Sequence, residues 1–215
     1  MPTAILVDAA FYLKRFNFVY PALDPRDPEI VAKTLYTMCL GHVEDTDLYR
    51  ILVYDCPPLE KKSHHPISNV SIDFSKLPGA LFRAQFHNNL KRLRKVALRL
   101  GYLRGHRWVI KPKATKNLLK GKINISDLDR SDIEFDIDQK GVDMKIGLDI
   151  ASLSYKRLVD QIILISGDGD FVPASKLARR EGIDVVLDPM WAHIGDELNE
   201  HIDGLKSTSP RPAGS

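Results

Sequence analysis

Gln161-Ile-Ile-Leu-Ile165-Ser-Gly-Asp168-Gly-Asp170-Phe-Val-Pro173 decides the fold. Ile162 to Ile165 is an aliphatic run without polar alternation, as expected for a parallel strand covered on both faces. Two glycines follow, so the backbone turns tightly and leaves room beside two carboxylates. A helix over Val172–Arg180 comes next, with Gly182 as its stop. Another apolar run, Ile183–Leu187, then begins. Strand, turn, helix, strand is the unit of an α/β fold with a mainly parallel central sheet flanked by helices.

The same grammar recurs toward the N-terminus. Ala4–Val7 and Ile51–Tyr54 read as buried strands, and Glu29–Leu40 and Val142–Leu153 as helices. Leu81–Leu100 reads as one long basic helix, because Leu90, Leu93, Val96, Ala97 and Leu100 recur at spacings of three and four. A further strand is expected near Arg107–Lys111. The reading is one domain over 1–206, carrying a basic insertion at about 57–140. The Pro-rich, small-residue stretch 207–215 reads as a disordered tail.

A carboxylate follows each apolar run: Asp8, Asp55, Asp168 with Asp170, and Asp188. Ligands of open parallel sheets bind outside the carboxyl ends of the strands, so these side chains share one edge. Each alone has a plainer reading. Asp170 could be an N-cap, and Asp55 and Asp188, both ahead of prolines, could be turn residues. The repetition argues for more. Asp143, in the first turn of the helix after Gly141, adds a carboxylate favoured by the helix dipole. Lys140 and Lys145 are its ion-pair alternatives. An aspartate cluster without His or Cys is hard-oxygen chemistry suited to Mg²⁺ or Mn²⁺. Asp8, Asp143, Asp168 and Asp170 are the expected catalytic residues and ligands, with Asp55 a weaker ligand candidate. No GxxxxGK[ST] and no GxGxxG after the first strand is present, which disfavours P-loop phosphotransfer.

Phe74 to Ser126 holds fourteen Lys or Arg and no Asp or Glu. Lys91, Arg92, Arg94, Lys95, Arg99, Arg104, Arg107, Lys111 and Lys113 are expected to contact phosphates, and Trp108 to stack on unpaired bases. Residues 127–138 reverse the sign, with six acids against one base. They either pair with the basic stretch or shield it. Phe135 and Ile137 alternate with Asp136 and Asp138, as in an edge strand. Cys39 and Cys56 are far apart and suit a reducing compartment. No stretch reads as a signal peptide or membrane span, so a cytoplasmic protein without a membrane partner is expected.

Three segments together resemble the NYN domain in its LabA-like branch: Ala4-Ile-Leu-Val-Asp8, Lys140-Gly-Val-Asp143-Met-Lys-Ile-Gly-Leu-Asp149 and Ile165-Ser-Gly-Asp168-Gly-Asp170-Phe-Val-Pro173. The resemblance spans roughly residues 3–205. It implies a PIN-like, three-layer Rossmannoid nuclease fold whose acidic metal site maps onto Asp8, Asp143, Asp168 and Asp170. Phe11 stands where many members carry Asn, which removes one polar contact and leaves the carboxylates. The expectation is a metal-dependent ribonuclease acting on single-stranded RNA, with room for a homodimer. The rivals are an RNA-binding regulatory protein with a silent site, and a DNA nuclease or phosphatase on the same fold.

Overall fold

The computed structural model describes residues 2–43 and 46–212, the His106 side chain excepted. In chain order the elements are β1 (Pro2–Asp8), α1 (Ala9–Val19), α2 (Pro28–Leu40), β2 (Asp47–Asp55), β3 (Lys62–His64), β4 (Ser71–Asp73), α3 (Pro78–Lys91), β5 (Val96–Leu100), β6 (Tyr102–Ile110), α4 (Pro112–Leu119), β7 (Ile133–Lys140), α5 (Val142–Tyr155), β8 (Gln161–Ile165), α6 (Val172–Arg180), β9 (Asp184–Asp188), α7 (Asp196–Glu200) and β10 (Gly204–Leu205).

Six strands form a parallel sheet in the order β10-β9-β8-β1-β2-β5. The side-chain period of two splits β1 between two cores. Ile5 and Val7 pack with α1, α2 and α3, while Ala4 and Leu6 pack with α5 and α6. Both faces are covered, which is why the strands read as continuous aliphatic runs. From β1 the chain moves outward to β2 and β5. It then returns on the opposite face to β8, on the other side of β1. The β1–β8 boundary is therefore the switch point of the sheet.

Local signals explain the helices near that boundary. Asp8 caps α1, accepting from the N–H groups of Ala10 at 2.9 Å and Phe11 at 3.1 Å. Ala9, Tyr12, Phe16 and Val19 then repeat as its buried stripe. This helix was not among the sequence expectations. Gly141 precedes α5 with φ of 81°, a left-handed conformation that glycine adopts without steric cost.

The long helix expected over Leu81–Leu100 is two elements. α3 ends at Lys91, and residues 96–100 form the parallel edge strand β5 against β2. Lys95 makes the break, with φ of 63°. The strand expected near Arg107–Lys111 is the second half of β6, which pairs antiparallel with the acidic β7. Arg104 lies opposite Asp138 and Arg107 opposite Asp136, so the basic and acidic stretches face each other across one ladder. Within 57–140, α3 and β5 thus belong to the central layers, while β3–β4 and β6-α4-β7 stand apart from the sheet. The disorder expected from residue 207 does not extend over 207–212. Ser207 Oγ donates to Asp188, Thr208 Oγ1 to the Met38 carbonyl, and Trp191 Nε1 to the Ser209 carbonyl. Residues 213–215 lie outside the described residues.

The hairpin joins the body at a tight crossing. A Cβ on Gly101 would lie 2.5 Å from the Lys140 carbonyl oxygen and 3.2 Å from Cys56 Sγ. Gly101→Ala should lower stability by about 2 kcal/mol, the scale of overpacking a filled site. Thermal unfolding should show a melting temperature roughly 4–8 °C lower, at 2–4 °C per kcal/mol for this chain length.

Candidate active site

Three elements that are distant in sequence deliver carboxylates to the switch point. Asp8 ends β1, Asp143 lies in the first turn of α5, and Asp168 follows β8. Asp168 caps a single 3₁₀ turn by accepting from the Asp170 N–H at 3.0 Å. Backbone donors thus fix one oxygen each of Asp8 and Asp168. Burial pushes the Asp8 carboxyl above its ordinary range. The backbone N–H groups oppose that shift, and the charges of Asp143 and Asp168 add to it. Asp143 is raised too, first by desolvation and then by Asp168 and Asp170. Each of the four expected site residues therefore belongs to one mutually repelling group.

Among the described residues, no cation pairs with any of these four. Lys140 turns instead to Asp138, at 3.2 Å. The donor set is all carboxylate oxygen and carries uncompensated negative charge, which is the chemistry of a Mg²⁺ or Mn²⁺ site. Among the same residues, no three such groups already converge on one point. The donors fit the ion in chemistry, and the side chains would have to close in to share it.

The other strand-end aspartates are satisfied by protein. Asp55 is buried; one oxygen accepts from Arg83 and from the Cys56 N–H at 2.8 Å, and the other meets His87 Nε2 at 2.7 Å. Both oxygens are engaged, so Asp55 is a structural carboxylate and not an open ligand. Sequence reasoning missed Arg83 and His87, although their i, i+4 spacing on α3 puts them on one helix face. Asp188 is likewise buried, held by His42 Nε2 at 2.9 Å, the Met190 N–H and Ser207 Oγ. Asp149 accepts from the Tyr54 hydroxyl at 2.8 Å and pairs with Arg99 at 3.1 Å.

Phe11 lies on the loop that carries Asp168. A Cβ on Gly167 would sit 2.8 Å from its ring. The ring gives this side of the site an apolar surface in place of a polar group.

The basic residues expected to guide a nucleic acid divide into groups. Lys91, Arg92, Arg94 and Lys95 sit where α3 ends and β5 begins. That is the opposite edge of the sheet from Asp8, roughly 16 Å along a five-residue strand. Arg99 is tied to Asp149. Arg104 and Arg107 rise on the hairpin from the acidic edge, and Arg107 also meets Asp136 at 3.5 Å. Lys111 and Lys113 lie at the hairpin's far end, around the start of α4. Trp108 is not a free stacking platform. Its ring packs among His65, Phe74 and Phe135, and its N–H reaches Ser63 Oγ at 3.1 Å.

The two kinds of carboxylate should respond oppositely to neutralisation. Raised pKa values mean the native state holds more protons than the unfolded chain through the ordinary carboxylate range, so stability falls as pH rises through it. Asp143→Asn should therefore melt slightly higher than wild type at pH 7, a small gain because solvent screens this exposed carboxylate. The gain should fade as pH falls through the ordinary carboxylate range and vanish below it, where both states are protonated. Asp55→Ala should instead cost about 3–5 kcal/mol, because it strands Arg83 and His87. Calorimetry across this pH range checks both.

Among the described residues no helix is long and apolar enough to cross a membrane. No curated protein matches the sequence. A solved structure of a protein of unknown function from Vibrio parahaemolyticus is similar, with 17% identity and a TM-score of 0.49 over 95% of this chain and 90% of that one. The family model of the NYN domain matches residues 68–201, a segment that includes Asp143, Asp168 and Asp170. It runs from before α3 to the end of α7, more than half of the chain. With the parallel sheet and flanking helices described above, this chain belongs to the NYN domain family, a PIN-like nuclease family.

Proposed function

We propose that this chain is a cytoplasmic, divalent-metal-dependent ribonuclease of the LabA-like branch, acting at Asp8, Asp143, Asp168 and Asp170. One observation carries the reading. Carboxylates from β1, α5 and the β8 loop crowd the switch point, the charges of Asp168 and Asp170 add to the raised pKa values of Asp8 and Asp143, and no ion pair described above includes any of the four. Uncompensated charge at the ligand edge of a parallel sheet is the mark of a site completed by something positive.

With Mg²⁺ or Mn²⁺ bound there, the chemistry supplied is a water of lowered pKa and positive charge beside the oxygens of an in-line displacement. The chain's part is positional. Asp8 and Asp168 each have one oxygen held by backbone N–H groups, which leaves the other oxygen for a ligand once the carboxylates close in on it. Asp143 approaches from the other layer on α5. Arg104 and Arg107, on the hairpin that rises from this edge, are placed to steer phosphates. Lys91, Arg92, Arg94 and Lys95 have no role on this path, because they occupy the opposite edge.

Phe11 supports a second reading, that of an RNA-binding protein with a silent site, since it offers no polar group beside Asp168. Turnover separates the two. Labelled single-stranded RNA should be cut in Mn²⁺ and not in EDTA. Asp143→Asn and Asp168→Asn should lose about a hundredfold or more in rate, equivalent to several kcal/mol of transition-state stabilisation. Salt-sensitive binding without turnover would establish the silent site instead. Parallel assays on single-stranded DNA and a phosphomonoester fix the substrate class.

A further inference from the structure

A second concavity, of about 400 Å³, lies between the hairpin and the first turn of α3. Pro57, Leu77, Leu103 and Ile137 give it apolar walls, and Arg83 and Gln139 are its polar groups. Leu77 and Ile137 are 43% and 38% exposed, large for aliphatic side chains facing one cleft. We propose that this cleft is a nucleobase pocket that takes a guanine of the RNA strand next to the acidic site. The proposal rests on the nucleic-acid reading of that site.

Position is the first argument. Pro57 follows Asp55 by two residues. Gln139 precedes Asp143 by four, a stretch that spans at most about 14 Å of backbone. The cleft is thus a near neighbour of the acidic cluster, on the side from which the hairpin rises. The larger concavity, of about 720 Å³, opens instead around the start of β9, at the opposite edge of the sheet, and its Arg179 is committed to Asp203 at 2.8 Å.

Chemistry is the second. An apolar slot with a few fixed polar groups suits a flat, heteroaromatic ligand, not a phosphate. Arg83 is anchored at one end, since its Nη1 donates to the buried Asp55 that His87 also holds. The Arg83 side chain is 24% exposed and lines the cleft, and its pairing with Asp55 sets its orientation before a ligand arrives. Its remaining N–H donors form the fork that matches the O6 and N7 acceptors of guanine. Gln139, exposed at the rim, adds an amide donor and acceptor for the base edge. Trp108 is occupied by the aromatic packing at the hairpin, which leaves these apolar walls as the surface against which an unstacked base can lie.

Gly79 provides a test that spares the fold. It lines the cleft in the exposed first turn of α3, and its Cβ position has no neighbour within 4 Å. Gly79→Leu therefore starts its side chain from open space beside the cleft, to obstruct it, and has better helix propensity. Fluorescence anisotropy in EDTA, where nothing is cut, compares ten-nucleotide RNAs of uridine carrying one central guanosine, one central adenosine, or neither. Wild type should bind the guanosine RNA about tenfold more tightly than either other. Gly79→Leu should melt no lower than wild type and bind all three equally. Gln139→Ala should lose part of the preference. Equal affinity of wild type for the three RNAs, an adenosine preference, or a guanosine preference that survives Gly79→Leu would each overturn the pocket. A guanosine preference without Mn²⁺-dependent cleavage leaves the pocket standing and removes the nuclease reading; cleavage without the preference does the reverse.

Discussion

Strand β1 has a parallel neighbour on each side, and its two crossover paths leave on opposite faces of the sheet. The helices after β1 cover the face of Ile5 and Val7, and those on the return path cover the face of Ala4 and Leu6. Neither path closes over the carboxyl ends of β1 and β8. The carboxylates at the ends of those two strands therefore lie on one edge of the sheet, whatever their distance in sequence. Asp8 and Asp168 are those carboxylates, and the start of α5 adds Asp143. The fold makes the carboxylates neighbours, and their repulsion is the cost of that arrangement.

The hairpin is built by the opposite rule. Its basic strand β6 lies against the acidic β7, with Arg104 and Arg107 opposite Asp138 and Asp136. Cross-strand pairs of unlike charge are mutually supportive, so a strand carrying several cations is stable without burying them. Aromatic packing of Trp108, Phe135 and Phe74 ties this arm to the β3–β4 ribbon and the turn before α3. Gly101 and Gly141 bracket its root, and the second of them leads directly into the helix bearing Asp143. The root of the arm is therefore continuous with the helix that places that carboxylate.

The aliphatic runs made the central strands legible, because burial on both faces leaves no polar alternation to confuse them. The carboxylates at their ends were legible for the same topological reason. β5 was not. Its residues Val96, Ala97 and Leu100 continue the spacing of Leu90 and Leu93, so a helical stripe and an edge strand share the same letters. The break at Lys95 carries no Gly or Pro, and only pairing with β2 selects the strand. That misreading also placed Lys91 to Lys95 on one basic face, whereas the turn carries them to the far edge of the sheet. The partners of Asp55 were hidden differently. Arg83 and His87 become meaningful only when α3 packs beside β2.

What distinguishes the acidic site is how compensation is distributed among similar side chains. Asp55, Asp149, Asp188 and Asp203 all sit near the ends of strands or against them, and each meets a cation, an imidazole or several hydrogen-bond donors. A buried or crowded carboxylate ordinarily acquires such partners, since an uncompensated one destabilises the fold. Asp8 and Asp143 are given charge of their own sign instead. Lysines lie within a few residues at positions 140 and 145, and yet Lys140 turns to Asp138. Asp8 offsets part of the cost of that crowding by capping α1, whereas, among the described residues, the Asp143 side chain makes no hydrogen bond or ion pair. The difference between the two groups of aspartates thus lies in their surroundings and not in the residue type.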